Sequence, residues 1–299
     1  MDRYHLHTRH VSAPGSAWGR GAGQSGTQTV TIAADIFGSP KALVGMIHVG
    51  AMPGTARGGE PISMIAGRAV EEAWLLAEAG FDALIVENMH DTPYLRREVG
   101  PEVVAGMTVV AEAVREAVDI PLGIQILAGA NRAALAVAHA VGLQFVRTEG
   151  FVFASVADEG VLDEADAGPL LRYRRSIGAQ NIKIIADVKK KHSAHSITAD
   201  VSLAETVRAA EFFGADGVIV TGTSTGRPTS IEDLRRARQA TSVPLAVGSG
   251  ATPDTLRELF EYADAVIIGS WYKIKGDWRN PPDAMRVKEL VAAANRVRL

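Results

Sequence analysis

The sequence predicts an α/β protein built as a single (β/α)8 barrel of the TIM type, preceded by a flexible N-terminal extension. Three observations predict it. Eight short apolar runs alternate with stretches of helical period, one helix-to-strand junction recurs along the chain, and the turns after the last two runs are rich in glycine. A doubly wound open sheet uses the same alternating elements, but eight strands with an unbroken rhythm fit closure better than an open sheet of five or six.

The apolar runs are residues 43–47, 83–87, 122–126, 145–149, 182–187, 217–221, 245–247 and 265–268. Each is nearly continuous in Val, Ile, Leu and Ala rather than alternating, as expected of parallel strands covered by helices on one side and packed side chains on the other. Between and after them, residues 66–79, 103–117, 130–140, 166–177, 203–213, 231–240, 253–262 and 283–297 have helical composition and period. The junctions E-A-G-F-D-A-L-I-V, A-V-G-L-Q-F-V-R, F-F-G-A-D-G-V-I-V and E-Y-A-D-A-V-I-I each close a helix and open a strand. In three of them Gly80, Gly142 or Gly214 stands where the helix must end through a left-handed residue. Ser230 with Asp233, and Thr252 before Pro253, read as helix starts.

Composition narrows the function classes. With 299 residues, 47% of them hydrophobic and 22% charged, the chain is long enough for one barrel and apolar enough to bury a large core. A net charge of -3 with both signs interspersed offers no basic field for nucleic acid, and no apolar run is long enough to span a bilayer. There is no cysteine, which removes thiolate ligands, disulfides and a cysteine nucleophile. A small molecule is therefore the expected partner; the further expectations are that it is phosphorylated, that the protein is cytoplasmic and that it forms a homo-oligomer. Residues 1–38 are assigned to the extension and 39–299 to the barrel. Up to Thr29 the extension is rich in Gly, Ser, His and Arg with Asp2 as its only acid, a composition shared by transit segments, added tails and natural disordered arms.

In a barrel the loops after the strand C-termini form the active face. The most specific signal there is V-G-S-G-A-T-P at 247–253 followed by I-I-G-S-W-Y-K at 267–273. Gly248, Ser249, Gly250, Gly269 and Ser270 are the expected phosphate-binding residues, because two small-residue turns let backbone N–H groups converge on an anion while a helix starting near Pro253 adds its positive end. No G-x-x-x-x-G-K-[ST] is present, so a P-loop is not the explanation. The second signal is Asp187 to His192. If the strand continues through them, Asp187, Lys189 and Lys191 share one side. Asp187, Lys191 and His192 are then candidates for proton transfer, with Lys191 also a candidate Schiff-base nucleophile, and Lys189 is a candidate for binding substrate. A solvated basic loop is the plainer alternative. His48, Glu87 and Glu149 end other strands and are acid or base candidates, or form buried pairs with Arg147 or Lys189. Thr221 and Thr223, in T-G-T-S-T-G, are candidate substrate contacts, and 150–167 is a lid, an oligomer contact or a plain excursion. A divalent metal held by His48, Glu87, Asp187 and His192 has no H-E-x-x-H or similar spacing behind it, and no cofactor is expected.

Taken in order, M-I-H-V-G-A-M-P-G-T, L-L-R-Y-R-R-S-I-G-A, A-D-V-K-K-K-H-S, V-T-G-T-S-T-G, V-G-S-G-A-T-P and I-I-G-S-W-Y-K-I-K-G resemble the BtpA/SgcQ family from about Lys41 to the C-terminus. The resemblance implies a ribulose-phosphate-binding type of barrel, with the phosphate corner on the five residues already named. It points in two functional directions. One branch is associated with photosystem I biogenesis as a peripheral thylakoid protein, the other with bacterial sugar-metabolism gene clusters. The expected function is accordingly an isomerase, epimerase or lyase of aldolase type acting on a phosphorylated sugar or nucleotide-like compound, against the alternatives of a non-catalytic assembly factor for a membrane complex or a phosphate-ligand sensor. Lys189 departs from the family pattern, which weakens any role specific to that position.

Overall fold

The structure, a computed structural model, describes residues 32–222 and 228–298. Eight parallel strands close into a barrel in the order β1 (Ala42–His48), β2 (Ala83–Glu87), β3 (Leu122–Gln125), β4 (Phe145–Thr148), β7 (Lys183–Val188), β9 (Gly217–Thr221), β10 (Leu245–Gly248) and β11 (Ala265–Ile268), the last pairing back onto β1. The outer ring is α2 (Ile62–Ala79), α3 (Pro101–Ala117), α4 (Asn131–Val141), α5 (Ala167–Ser176), α6 (Leu203–Phe212), α7 (Ile231–Ala240), α8 (Leu256–Tyr262) and α9 (Ala284–Arg298). The closed barrel and its element order follow the sequence reading closely, because each strand is bounded by residues that a strand or helix cannot easily absorb. Gly80, Gly142 and Gly214 take φ of +106°, +79° and +88°, the left-handed exits expected of them. Ser230 accepts from the Asp233 backbone N–H at 3.3 Å, as its sequence context indicates.

Two cores result from strand alternation. Side chains facing outward, such as Leu43, Ile47, Leu84, Val86, Ile184 and Val266, pack under the helices. Those facing inward, Val44, Met46, Ile85, Phe145, Ile219 and Ile267 among them, fill the barrel. Gly123 leaves its inward position open, and a Cβ there would fall 2.2 Å from the Phe145 ring, so one large residue fills the space of two.

Residues 32–37 form a helix, α1, that plugs the N-terminal end of the barrel. Ile36 and Phe37 are fully buried against the inner core, and Phe37 meets Phe145 edge-on with ring centroids 5.3 Å apart. This helix belongs to the segment 1–38 assigned to the extension. Residues 32–37 precede the first strand and their apolar side is short, yet it seals an opening that only the closed barrel creates. Residues 1–31 of the expected extension lie outside the described residues. Phe37→Ala is expected to cost about 3 kcal/mol of stability, read as a lower denaturation midpoint, with ligand binding at the far end unchanged in the folded protein.

At the C-terminal end, the connection between β4 and α5 folds into a hairpin of β5 (Ser155–Ala157) and β6 (Gly160–Leu162), and β5 also pairs with β8 (Ser193–Ala194) from the loop after β7. The segment 150–167 is therefore a small sheet over the mouth, shared between two loops. Arg97 ties it to the loop after β2 through the carbonyl of Glu164 and an ion pair to Asp166 at 3.7 Å. Among the described residues no helix is long and apolar enough to cross a membrane.

Candidate active site

Strand parity builds the mouth. The inward position two residues beyond the last apolar inward residue is polar or glycine on every strand: His48, Glu87, Gln125, Arg147, Asp187, Thr221, Gly248 and Gly269. Eight residues distant in sequence thereby ring one end of the barrel, with His48 in register beside Glu87 and Glu87 beside Gln125.

A first cleft brings together His48, Glu87, Arg147, Lys191, Ser249, Gly250, Gly269 and Ser270. His48 Nε2 lies 3.6 Å from Glu87 Oε2, their side chains only 6% and 8% exposed. Burial, reinforced by the charge of Lys273, pushes the His48 pKa well below the ordinary imidazole value, so the ring is neutral. Its Nδ1 sits 3.2 Å from the Trp278 carbonyl, which can only accept, so Nδ1 carries the proton and Nε2 presents a lone pair. Burial raises the Glu87 carboxyl above its usual range although Arg147 and Lys191 oppose the shift. Lys191 is lowered, first by burial and next by Arg147. The site therefore holds an acid of raised pKa beside a neutral base, a pairing able to give and accept protons.

Asp187 is placed differently from a free acid. Arg147 donates to it through both Nε and Nη2 at 2.9 Å, with side-chain exposures of 5% and 1%. This bidentate pair engages both carboxylate oxygens and fixes the two side chains against each other. The strand does not continue past Val188: Lys189 takes a φ of +48°, which breaks the alternation. Lys189 turns away and donates to the Val201 carbonyl at 2.6 Å, while Lys190, which parity alone places outside, enters the mouth between Glu149 at 3.3 Å and Glu159 at 2.7 Å. Burial opposes the charge of Lys190, but those two carboxylates hold its pKa above the usual lysine value. Glu149 is raised, chiefly by burial. The Lys191 backbone N–H donates to Thr221 Oγ1 at 2.9 Å, so Thr221 positions the lysine, and His192 sits at the exposed rim with Asp158 3.5 Å away. Thr223 lies outside the described residues.

The glycine corner is present, with Ser249 and Gly250 both left-handed at φ of +72° and +73°. A non-glycine residue held there is uncommon and marks a turn shaped by its surroundings. Gly269 abuts the imidazole: an added Cβ would fall 2.8 Å from His48 Nε2. The helix expected from Pro253 begins three residues later, at Leu256. Thr255 Oγ1 accepts from the Thr252 N–H at 2.9 Å and closes a side-chain turn in place of the first helical turn, so the expected helix dipole does not sit at the corner. Trp271, Tyr272 and Lys273 of the same motif are structural: Arg286 stacks over Trp271, Tyr272 donates to the Met46 carbonyl at 2.7 Å, and Lys273 forms a buried ion pair with Glu72.

The four residues considered for a metal do not converge, since Asp187 is taken up by Arg147 and His192 lies at the rim. Among the described residues no group of three or more His, Asp or Glu is arranged to hold an ion. Sequence reasoning overlooked Lys190, Gln125, Trp278 and the brace around Asn88, which donates to Asp91 at 2.8 Å and accepts from the Leu127 N–H at 2.7 Å.

The chain matches the BtpA family over residues 39–296. It is 43% identical to an uncharacterized protein of Caenorhabditis elegans labelled mitochondrial, over 91% of this chain and 99% of that one. It is 35% identical to the photosystem I biogenesis protein BtpA of Synechocystis, over 86% of this chain and 89% of that one. Among solved structures it is similar to the thiamine phosphate pyrophosphorylase of Pyrococcus furiosus, with a TM-score of 0.53 at 15% identity over 89% of this chain and 98% of that one. It is similar also to the N-(5'-phosphoribosyl)anthranilate isomerase of Pyrococcus furiosus, with a TM-score of 0.52 at 12% identity over 86% and 100%. At such identities the likeness is one of fold.

Proposed function

We propose, from the premise that this chain belongs to the BtpA family, that it is an enzyme moving protons on a phosphorylated small molecule. The observation that carries the reading is the union in one cleft of the buried Glu87 and His48 pair with the small-residue turns at Ser249–Gly250 and Gly269–Ser270. The two adjoining clefts of the mouth have cavity volumes of about 130 and 260 Å³, room for a small molecule. The turns hold the anion, Glu87 in its acid form donates a proton, His48 Nε2 accepts one, and Lys191 supports negative charge developing between them. An isomerase, epimerase or lyase reaction fits these parts. The names of the two similar structures, both enzymes of phosphorylated compounds, support the reading by analogy of fold.

Thermal denaturation against sugar phosphates, phosphoribosyl compounds, plain phosphate and sulfate tests it. A ligand at about 100 times its Kd adds about 2.7 kcal/mol, and Gly250→Val, which forces a β-branched side chain into a left-handed turn, is expected to abolish the rise. A flat panel with the folded protein overturns the reading. It would turn attention to an assembly role, as in the name of the Synechocystis relative.

A further inference from the structure

The mouth has a second half whose chemistry neither the acid–base pair nor the glycine corner uses. It meets the first half across Glu87, Met89, Arg147 and Lys191, which line both. Tyr94, Leu127, Ala128 and Trp278 give it flat and apolar walls, and Gln125 and Glu149 line its inner part.

Gln125 is 2% exposed. Its Nε2 donates to Glu149 Oε1 at 3.3 Å, while Lys190 holds the other oxygen of that carboxylate at 3.3 Å. The amide is therefore oriented, with its carbonyl Oε1 as the remaining acceptor. That oxygen is buried and has no hydrogen-bond partner among the described residues, and neither has the buried hydroxyl of Thr92, which lines the same half. A buried acceptor without a donor costs about 1 to 3 kcal/mol. Such an atom, held in place by a neighbour and carried by a side chain that lines the cleft, points to a recognition group whose donor comes from a ligand.

We propose that this half is a subsite for a planar nitrogen heterocycle whose ring or exocyclic N–H donates to Gln125 Oε1. Resting on the phosphate reading above, the ligand is then a sugar phosphate bearing such a ring, with the phosphate at the glycine corner and the sugar across Glu87 and Lys191. A bare sugar phosphate finds partners for its hydroxyls only on the charged side of this half, at Glu149, Lys190 and Lys191, and leaves the apolar surface of Leu127, Ala128 and Trp278 uncovered. A flat ring lies along those walls and against Trp278 and still presents an N–H at its edge.

The test uses the full chain and titration calorimetry. The probes are ribose 5-phosphate, the 5'-monophosphates of adenosine, guanosine, cytidine and inosine, and the same nucleosides without phosphate. At least one monophosphate is expected to bind tenfold or more tightly than ribose 5-phosphate. In Gln125→Met, of similar volume and without the acceptor, that ratio is expected to fall to about one. Thr92→Val is measured in parallel, expected to lower the same ratio, and decides the matter if Gln125→Met fails to fold. If ribose 5-phosphate binds as well as every monophosphate, or if the advantage of the ring survives both substitutions, the inference is overturned while the phosphate reading stands. If the free nucleosides bind as tightly as their monophosphates and depend on Gln125, the heterocycle subsite stands and the phosphate reading falls. If no probe binds, both fall.

Discussion

Glu87→Gln is expected to lower turnover by about 100- to 10,000-fold, the usual range for removing a positioned general acid, while leaving the melting temperature unchanged or raising it. The stability half follows from the direction of the pKa shift. Burial raises the folded-state pKa of Glu87 above the ordinary value of 4.5, so below that value folded and unfolded chains are both protonated and the group costs nothing. As pH rises from there, the unfolded chain releases its proton first, and stability falls until the folded-state pKa is passed. Glutamine has no proton to release. The wild type and the variant should therefore match near pH 4 and diverge toward neutrality in favour of the variant. His48, lowered by burial, works in the opposite sense: stability is present above the ordinary histidine range and lost as pH falls through it. Kinetics on the substrate class identified by the binding panel, with melting curves across pH, checks both halves. A variant that melts below the wild type at pH 7 would make Glu87 a structural group.

Arg147→Met is expected to destabilise the protein by about 3 to 5 kcal/mol, the cost of leaving one partner of a buried ion pair alone. Asp187 has no other cation at hydrogen-bonding distance among the described residues, and its side chain is 1% exposed. Arg147→Met combined with Asp187→Leu is expected to recover most of that loss, because the uncompensated charge is gone and the apolar volume is kept. Urea denaturation of the wild type, both single variants and the double variant separates this from a general packing defect, for which the double variant would be worse than either single one. The pair also gives Asp187→Asn a specific expectation: lowered stability from losing the charge opposite Arg147, with any fall in turnover following from displacement of Arg147 at the cleft.

The barrel was legible because its strands are near-continuous apolar runs and its helices end on glycines, signals that are local. The site was legible where parity runs uninterrupted from an apolar inward residue to a polar one. His48 after Met46, Glu87 after Ile85 and Asp187 after Ile185 are all of this kind. By the same count Gln125 follows Gly123 and Arg147 follows Phe145, but a glycine and an aromatic residue are weak markers of an inward stripe; Gln125 carries no sequence expectation and Arg147 only that of a buried-pair partner. What sequence does not carry is the break at Lys189. A left-handed lysine has no propensity signal, and it exchanges the places of Lys189 and Lys190. The late start of α8 has a similar origin, in a threonine hydroxyl that closes a turn before the helix can begin. The plug formed by residues 32–37 has meaning only after closure, since the opening that it fills exists only in three dimensions.

The small sheet of β5, β6 and β8 has a consequence for how such a protein diverges. Barrel enzymes commonly acquire new substrates by exchanging one loop at a time over a fixed scaffold. Here the loops after β4 and β7 share main-chain hydrogen bonds, with Val156 paired to Ala194 and Ala157 to Ser193. Grafting either loop alone from a relative would leave the other with unmatched edge groups over the mouth. The two loops are therefore a single heritable module, and a chimera that carries both should fold where one that carries either alone does not.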